Sequence, residues 1–175
     1  KPAGSIVAPE SKAAIETFLA GILPRPKKQT AKRLYDTIII GGGPGGYTAA
    51  LYAARAGLET LVIERLSAGG QMALTQQIDN YPGFADGVGG YELAEQMQRQ
   101  AERFGAQTRN AQVQRLDLKA NPKTVETNEG TFLCRTVILA TGANPRELGL
   151  PGEKELVGRG VAYCAACDGM FYKGK

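Results

Sequence analysis

Two short clusters in this chain carry residue types and spacings that do chemistry. The first is Gly41-Gly42-Gly43-Pro44-Gly45-Gly46, entered from the apolar run Thr37-Ile38-Ile39-Ile40 and left through the alanine-rich stretch Tyr47 to Gly57. Gly41, Gly43 and Gly46 stand in G-x-G-x-x-G register. In such a turn the first glycine permits the sharp bend, the second lets a pyrophosphate approach the backbone, and the third lets helix and strand pack closely. The helix start beyond Pro44 and Gly45 offers free N–H groups and a partial positive charge to phosphates. A second apolar run, Thr60-Leu61-Val62-Ile63-Glu64, ends in an acid 18 residues after Gly46. A carboxylate there accepts hydrogen bonds from the ribose hydroxyls of an adenosine and repels a 2′-phosphate. The motif therefore points to FAD or NAD over NADP at this site, with Arg65 beside the acid as a weak argument the other way. The plainer alternative is a βαβ unit with an ordinary glycine turn.

The second cluster is Cys164-Ala165-Ala166-Cys167-Asp168-Gly169. Two intervening residues allow a pair of cysteines to close a small disulfide ring, and thiol–disulfide exchange needs a thiolate available near neutral pH. Asp168 next door would raise a thiol pKa by charge repulsion, which suits a proton acceptor better than a thiolate stabiliser. The alternatives are a structural disulfide or two buried thiols for the pair, and a turn residue before Gly169 for Asp168. The chain has three cysteines and no histidine, so histidine-dependent catalysis is excluded within it. Zinc needs four ligands; Cys164 and Cys167 supply two, and Cys134 is not spaced as a partner, so no metal site is expected. Cys134 reads as a small buried hydrophobe. A C-x-x-C pair beside a dinucleotide motif suggests redox work in a reducing, cytoplasmic compartment.

The elements that must position these clusters follow from pattern. With 175 residues and 43% hydrophobic content the chain is long enough for one ordinary core. No apolar run approaches the ~18 residues of a membrane span. The net charge of +4 is unevenly placed: residues 1–33 hold seven Lys or Arg against two Glu, and residues 34–175 hold fourteen against fifteen acids. The basic leader could meet nucleic acid or acidic lipid, but a solvated linker is the simpler reading, and the slightly acidic remainder gives no support for nucleic-acid binding. Ser11 can cap a short helix through about Gly21, with Ala14, Ile15, Phe18, Leu19 and Ile22 on one face, before Pro24 and Pro26 stop it.

Strands are expected over 35–40 and 60–64, with a helix over 45–56 between them. Ser67 to Gln71 and Asn80-Tyr81-Pro82-Gly83-Phe84 read as loops. A helix is expected over 91–104, with Leu93, Ala94, Met97, Ala101 and Phe104 as its core stripe. Turn signals between short β-rich runs over 111–135 predict a three-stranded antiparallel meander. A separate apolar strand over 136–140 then returns to the parallel sheet, and its exit, Thr141-Gly142, suits close approach of a ligand. Gly149-Leu150-Pro151-Gly152 reads as a crossing between domains.

In order, GGGPGG, Glu64, GGQ at 69–71, IDNYPG at 78–83, ATG at 140–142 and CAACDG at 164–169 resemble low-molecular-weight thioredoxin reductases. The likeness runs from about Tyr35 to Lys175 and leaves out the leader. It implies an α/β fold: a Rossmann-like parallel sheet binding FAD, with an antiparallel β-meander inserted, and the start of a second nucleotide-binding domain for NADPH. On that plan 1–33 is an extension and basic linker, 34–148 the first part of the FAD domain, and 149–175 the opening of the NADPH and redox-disulfide domain. It also implies a homodimer whose electrons pass from NADPH through FAD to a Cys164–Cys167 disulfide and on to thioredoxin or a thioredoxin-like protein. Cys167 would face the flavin, Cys164 would attack the partner disulfide, and Asp168 would manage the thiol protons. Gly70 and Gln71 would lie along the FAD, Asn80 near the flavin, and Val113 against the adenine through its backbone. Gly41, Gly43, Pro44, Gly45, Gly46, Glu64 and Ala140-Thr141-Gly142 would complete the cofactor site. The family's second glycine motif and its C-terminal FAD segment do not occur in these residues, so the resemblance implies a competent enzyme only in a longer chain or with a second one.

Three rival readings remain at this point: the reductase of a peroxiredoxin system, a flavoprotein fed by ferredoxin, and a flavin module that senses redox state without turnover.

Overall fold

The computed structural model describes residues 33–157, 159–165 and 169–174. The expected leader helix over 11–21 lies outside them.

The described residues open with β1 (Leu34–Ile40), α1 (Pro44–Arg55) and β2 (Thr60–Glu64). A 3₁₀ turn over Gly70–Leu74, the helix α2 (Gly90–Arg103) and a short β3 (Gln107–Asn110) follow. Then come β4 (Val113–Asp117), β5 (Lys123–Thr127) and β6 (Gly130–Leu139). Past the sheet lie one helical turn, α3 (Glu153–Leu156), and a 3₁₀ turn over Gly169–Tyr172. No helix among the described residues is long and apolar enough to cross a membrane.

All six strands form one sheet in the order β3-β2-β1-β6-β5-β4. β1 is parallel to β2 on one side and to β6 on the other, and β3 extends the parallel part beyond β2. β4 and β5 pair antiparallel, as do β5 and β6. Because side chains alternate across a strand, the apolar runs of β1 and β2 feed two cores. Ile38, Ile40, Leu61 and Ile63 face one side, where Tyr35, Ala111, Val125 and Cys134 join them. Ile39 and Val62 face the other, under Tyr47, Ala50 and Ala54 of α1 and Ala101 of α2. Fully burying each such aliphatic side chain contributes roughly 1.5–3 kcal/mol. The small alanines let α1 sit close on the sheet.

The structure adds to or departs from expectation at four places. The third meander strand and the returning parallel strand are one element: β6 runs unbroken for 10 residues. Its first half pairs with β5 over Gly130–Cys134, its second with β1 over Leu133–Leu139. No turn residue interrupts Cys134-Arg135-Thr136, so nothing stops one extended run from serving both partners. Secondly, β5 does not reach past Cys134, so the far half of β6 has an open flank among the described residues, and Ile138 and Leu139 are exposed despite their apolar type. Thirdly, β3 has the polar sequence Gln-Thr-Arg-Asn and no apolar signal; it forms because the edge of β2 offers a free backbone ladder. Fourthly, Phe104 stands just past α2, 41% exposed, with the guanidinium groups of Arg55 and Arg103 at 5.4 and 5.0 Å from its ring centre. Cation–π contact on the surface replaces the expected core packing. Leu93, Ala94 and Ala101 are buried as expected, and Met97 is partly so.

Candidate functional site

The carboxyl ends of the parallel strands lie along one edge of the sheet, the edge where open α/β sheets bind ligands. β1 runs there into Gly41 and β6 into Ala140, while β2 ends in Glu64 and β3 at Asn110. β1 is flanked by β2 on one side and by β6, much later in the chain, on the other, which makes this a topological switch point.

The three motif glycines have different surroundings. At Gly41, where φ is +107°, a Cβ would stand 2.2 Å from the Ala140 carbonyl oxygen. At Gly46 a Cβ would stand 1.9 Å from the Gly41 carbonyl oxygen. These two glycines are demanded by the chain's own packing. At Gly43 the nearest atom to a Cβ is the Gly69 carbonyl oxygen, 3.9 Å away, and at Gly45 nothing lies within 4 Å. The fold has room for a side chain at these two positions. Their bareness leaves space in front of a helix start that no side chain caps: Gly43 is the N-cap of α1, with Pro44 in its first turn. The first N–H groups of a helix have no partner within it, so the spot suits an anion.

Glu64 closes one flank. Its Oε2 accepts the Gly42 N–H at 2.6 Å and its Oε1 accepts the Leu66 N–H at 3.1 Å. Each oxygen retains a lone pair for a hydroxyl donor. On the other flank Gly69 N–H donates to the Gly42 carbonyl at 2.7 Å, which lays Gly69 and Gly70 against the glycine turn. The stretch expected to be a plain loop is here a 3₁₀ turn beginning at Gly70. The Gln71 Nε2 donates to Asn144 Oδ1 at 3.1 Å, joining this turn to the exit of β6. That exit is held in turn by Ala140 N–H on the Ile40 carbonyl at 2.8 Å. Thr141 lies against Gly41, 3.2 Å from where its Cβ would be, and Gly142 follows, exposed.

Gly41, Gly43, Pro44, Gly45, Gly46, Glu64, Gly70, Gln71, Ala140 and Thr141 are thus assembled on one edge. Val113 stands at the start of β4, two residues past Ala111, whose N–H donates to the Glu64 carbonyl at 2.9 Å. Asn80 lines a concavity together with its neighbours from Asp79 to Ala85.

Sequence reasoning missed Asn144 and Tyr47. Tyr47 is buried behind the glycine turn. Burial pushes its phenol pKa up, and the charges of Glu102 and Glu64 add to this. The available signal was an aromatic directly after the glycine motif, one of two in an alanine-rich helix; for Asn144 there was none.

Beyond the sheet, Cys164 is half-buried and disulfide-bonded, whereas Cys134 is a free, buried thiol. The Cys167 and Asp168 expectations lie outside the described residues. Upstream of Cys164, the buried Glu153 carboxylate accepts the N–H groups of Leu148, Gly149 and Leu150 at 2.8, 2.6 and 3.1 Å. It also accepts the Tyr163 hydroxyl.

Bare glycines before an uncapped helix start, a carboxylate at the end of the next strand and a switch point define a Rossmann-like dinucleotide fold. The residues present fit an adenine dinucleotide: space and N–H donors for a diphosphate, an acceptor for ribose hydroxyls. Residues 35–175 match the family described as pyridine nucleotide-disulphide oxidoreductase, and the chain belongs to it. It is 51% identical over 143 residues to a bifunctional thioredoxin reductase/thioredoxin from Mycobacterium leprae, covering 81% of this chain and 31% of that protein. It is 48% identical over 144 residues to a thioredoxin reductase from Bacillus subtilis, covering 82% of this chain and 45% of that one. The crystal structure of thioredoxin reductase from Streptococcus pyogenes is similar at a TM-score of 0.73 and 47% identity, over 81% of this chain and 46% of that one. The chain therefore spans less than half the length of these relatives.

Proposed function

We propose that the intact protein is a flavoprotein disulfide reductase that takes electrons from NADPH and delivers them to thioredoxin or a thioredoxin-like protein. The observation that carries this reading is a chain that pairs a dinucleotide cradle, left bare at Gly43 and Gly45, with a disulfide-bonded Cys164. The names of its relatives support it.

FAD, when bound, supplies a two-electron relay between pyridine nucleotide and disulfide. The N–H groups at the start of α1 would hold its diphosphate. Glu64 would accept the ribose hydroxyls, and the Val113 backbone would bracket the adenine. Gly70, Gln71, Ala140, Thr141 and Gly142 would line its course, with Asn80 near the flavin. The net exchange balances: NADPH and one proton yield NADP⁺, the disulfide gains two electrons and two protons, and two thiols result. On this reading Cys167 would exchange electrons with the flavin, Cys164 would attack the partner disulfide, and Asp168 would take up and return the thiol proton. Residues 34–148 then form the first part of the FAD domain and residues 149–175 open the NADPH domain, in a cytoplasmic homodimer.

Anaerobic addition of NADPH to the purified intact protein tests this. The expected result is bleaching of the flavin absorbance and two newly titratable thiols, with sustained NADPH consumption once thioredoxin is added. A flavin that stays oxidised overturns NADPH as donor. Bleaching without consumption in the presence of thioredoxin overturns thioredoxin as partner.

A further inference from the structure

The four hydrogen bonds on Glu153 exceed what one helical turn requires. α3 has four residues, and no side chain caps its N-terminus. A buried carboxylate must find donors for its lone pairs, and Glu153, 5% exposed, finds them at both ends of a loop. Three are the successive amides of 148–150, where the chain leaves the sheet edge. The fourth is the hydroxyl of Tyr163, the residue before Cys164. Between them the loop is closed by Val161 N–H on the Leu156 carbonyl at 3.0 Å and by a bridge between Val157 and Val161. Both partners keep the required protonation state at neutral pH. The Tyr163 hydroxyl and the 148–150 amides hold Glu153 down at about 2, and hydrogen bonding to Glu153 pushes Tyr163 up to about 12.

We propose that Glu153, through Tyr163, is a positioning residue for Cys164: it fixes the backbone entering the disulfide and so sets the redox equilibrium of that couple. The inference rests on the disulfide-reductase reading only for what the couple then reduces. Forming a disulfide costs the chain entropy of bringing two sulfurs together, and a backbone already fixed beside one of them has less to lose. Anchoring therefore favours the oxidised form and lowers the reduction potential.

The test uses the intact protein equilibrated in dithiothreitol redox buffers, with Cys164 alkylation read by mass spectrometry. Each couple reduced takes two electrons and two protons from dithiothreitol, which closes to its cyclic disulfide, so no cofactor or turnover is needed. Tyr163→Phe removes one hydroxyl from a ring that is 38% exposed and leaves the rest of the cluster. The expected shift is about tenfold toward the dithiol, equivalent to about 30 mV. Glu153→Gln, which keeps an acceptor oxygen, should shift less than Glu153→Ala. Alkylation of Cys134 should not change. A Tyr163→Phe protein that titrates like wild type overturns the proposal, whether or not the Glu153 variants fold. A wild type inactive with NADPH and thioredoxin overturns the proposed function and leaves this titration to decide on Glu153.

Discussion

The Gly42 amide donates to Glu64 Oε2 at 2.6 Å, tying the turn after β1 to the end of β2. Glu64 thus has two tasks. It shapes the glycine turn from behind, and it presents its remaining lone pairs to whatever lies in front. Its second anchor, the Leu66 N–H on Oε1, fixes the carboxylate plane.

Glu64→Ala should therefore cost more than one ligand contact. Hydrogen bonds to charged groups are worth about 1.5–3 kcal/mol each, so flavin affinity should fall by at least about tenfold. Glu64→Gln should fall between, since it retains one acceptor oxygen. Flavin content after purification and reconstitution titration measure both.

The glycines separate structure from ligand binding. Gly46→Ala forces a Cβ to 1.9 Å from the Gly41 carbonyl oxygen, and overpacking of this kind costs about 1–3 kcal/mol or more. The apoprotein should melt earlier. Gly43→Ala meets nothing closer than 3.9 Å, so apoprotein melting should stay near wild type while flavin affinity drops. Equal losses of stability in both variants would contradict this division.

Acid should loosen the 148–163 loop in a defined window. Glu153 is held near 2 in the folded protein, below the 4.5 of an ordinary glutamate. A depressed folded-state pKa contributes stability that is present above about 4.5 and is lost as pH falls toward about 2. Between those values wild type should lose thermal stability more steeply than Glu153→Gln, whose side chain does not titrate. Melting curves across that range read the difference.

Cys134 should behave as a core residue. It is fully buried, and burial pushes its thiol pKa up. A thiol reagent should modify it only as fast as the protein unfolds. After reduction, the fast-reacting thiols should be those of the 164–167 segment, a distinction that stopped-flow labelling resolves.

The residue order alone determined the strand–glycine turn–helix–strand unit, because period, glycine spacing and a terminal acid are local properties. It also determined the pairing of that unit with a C-x-x-C motif. The tertiary structure decided that β6 is one strand shared by two partners, that polar β3 exists, and that Asn144 reaches Gln71. Each of these depends on a neighbour far along the chain, and a free ladder edge or a facing side chain leaves no periodicity to read. Packing distances likewise divided three glycines of identical type into two that the backbone requires and one that it does not.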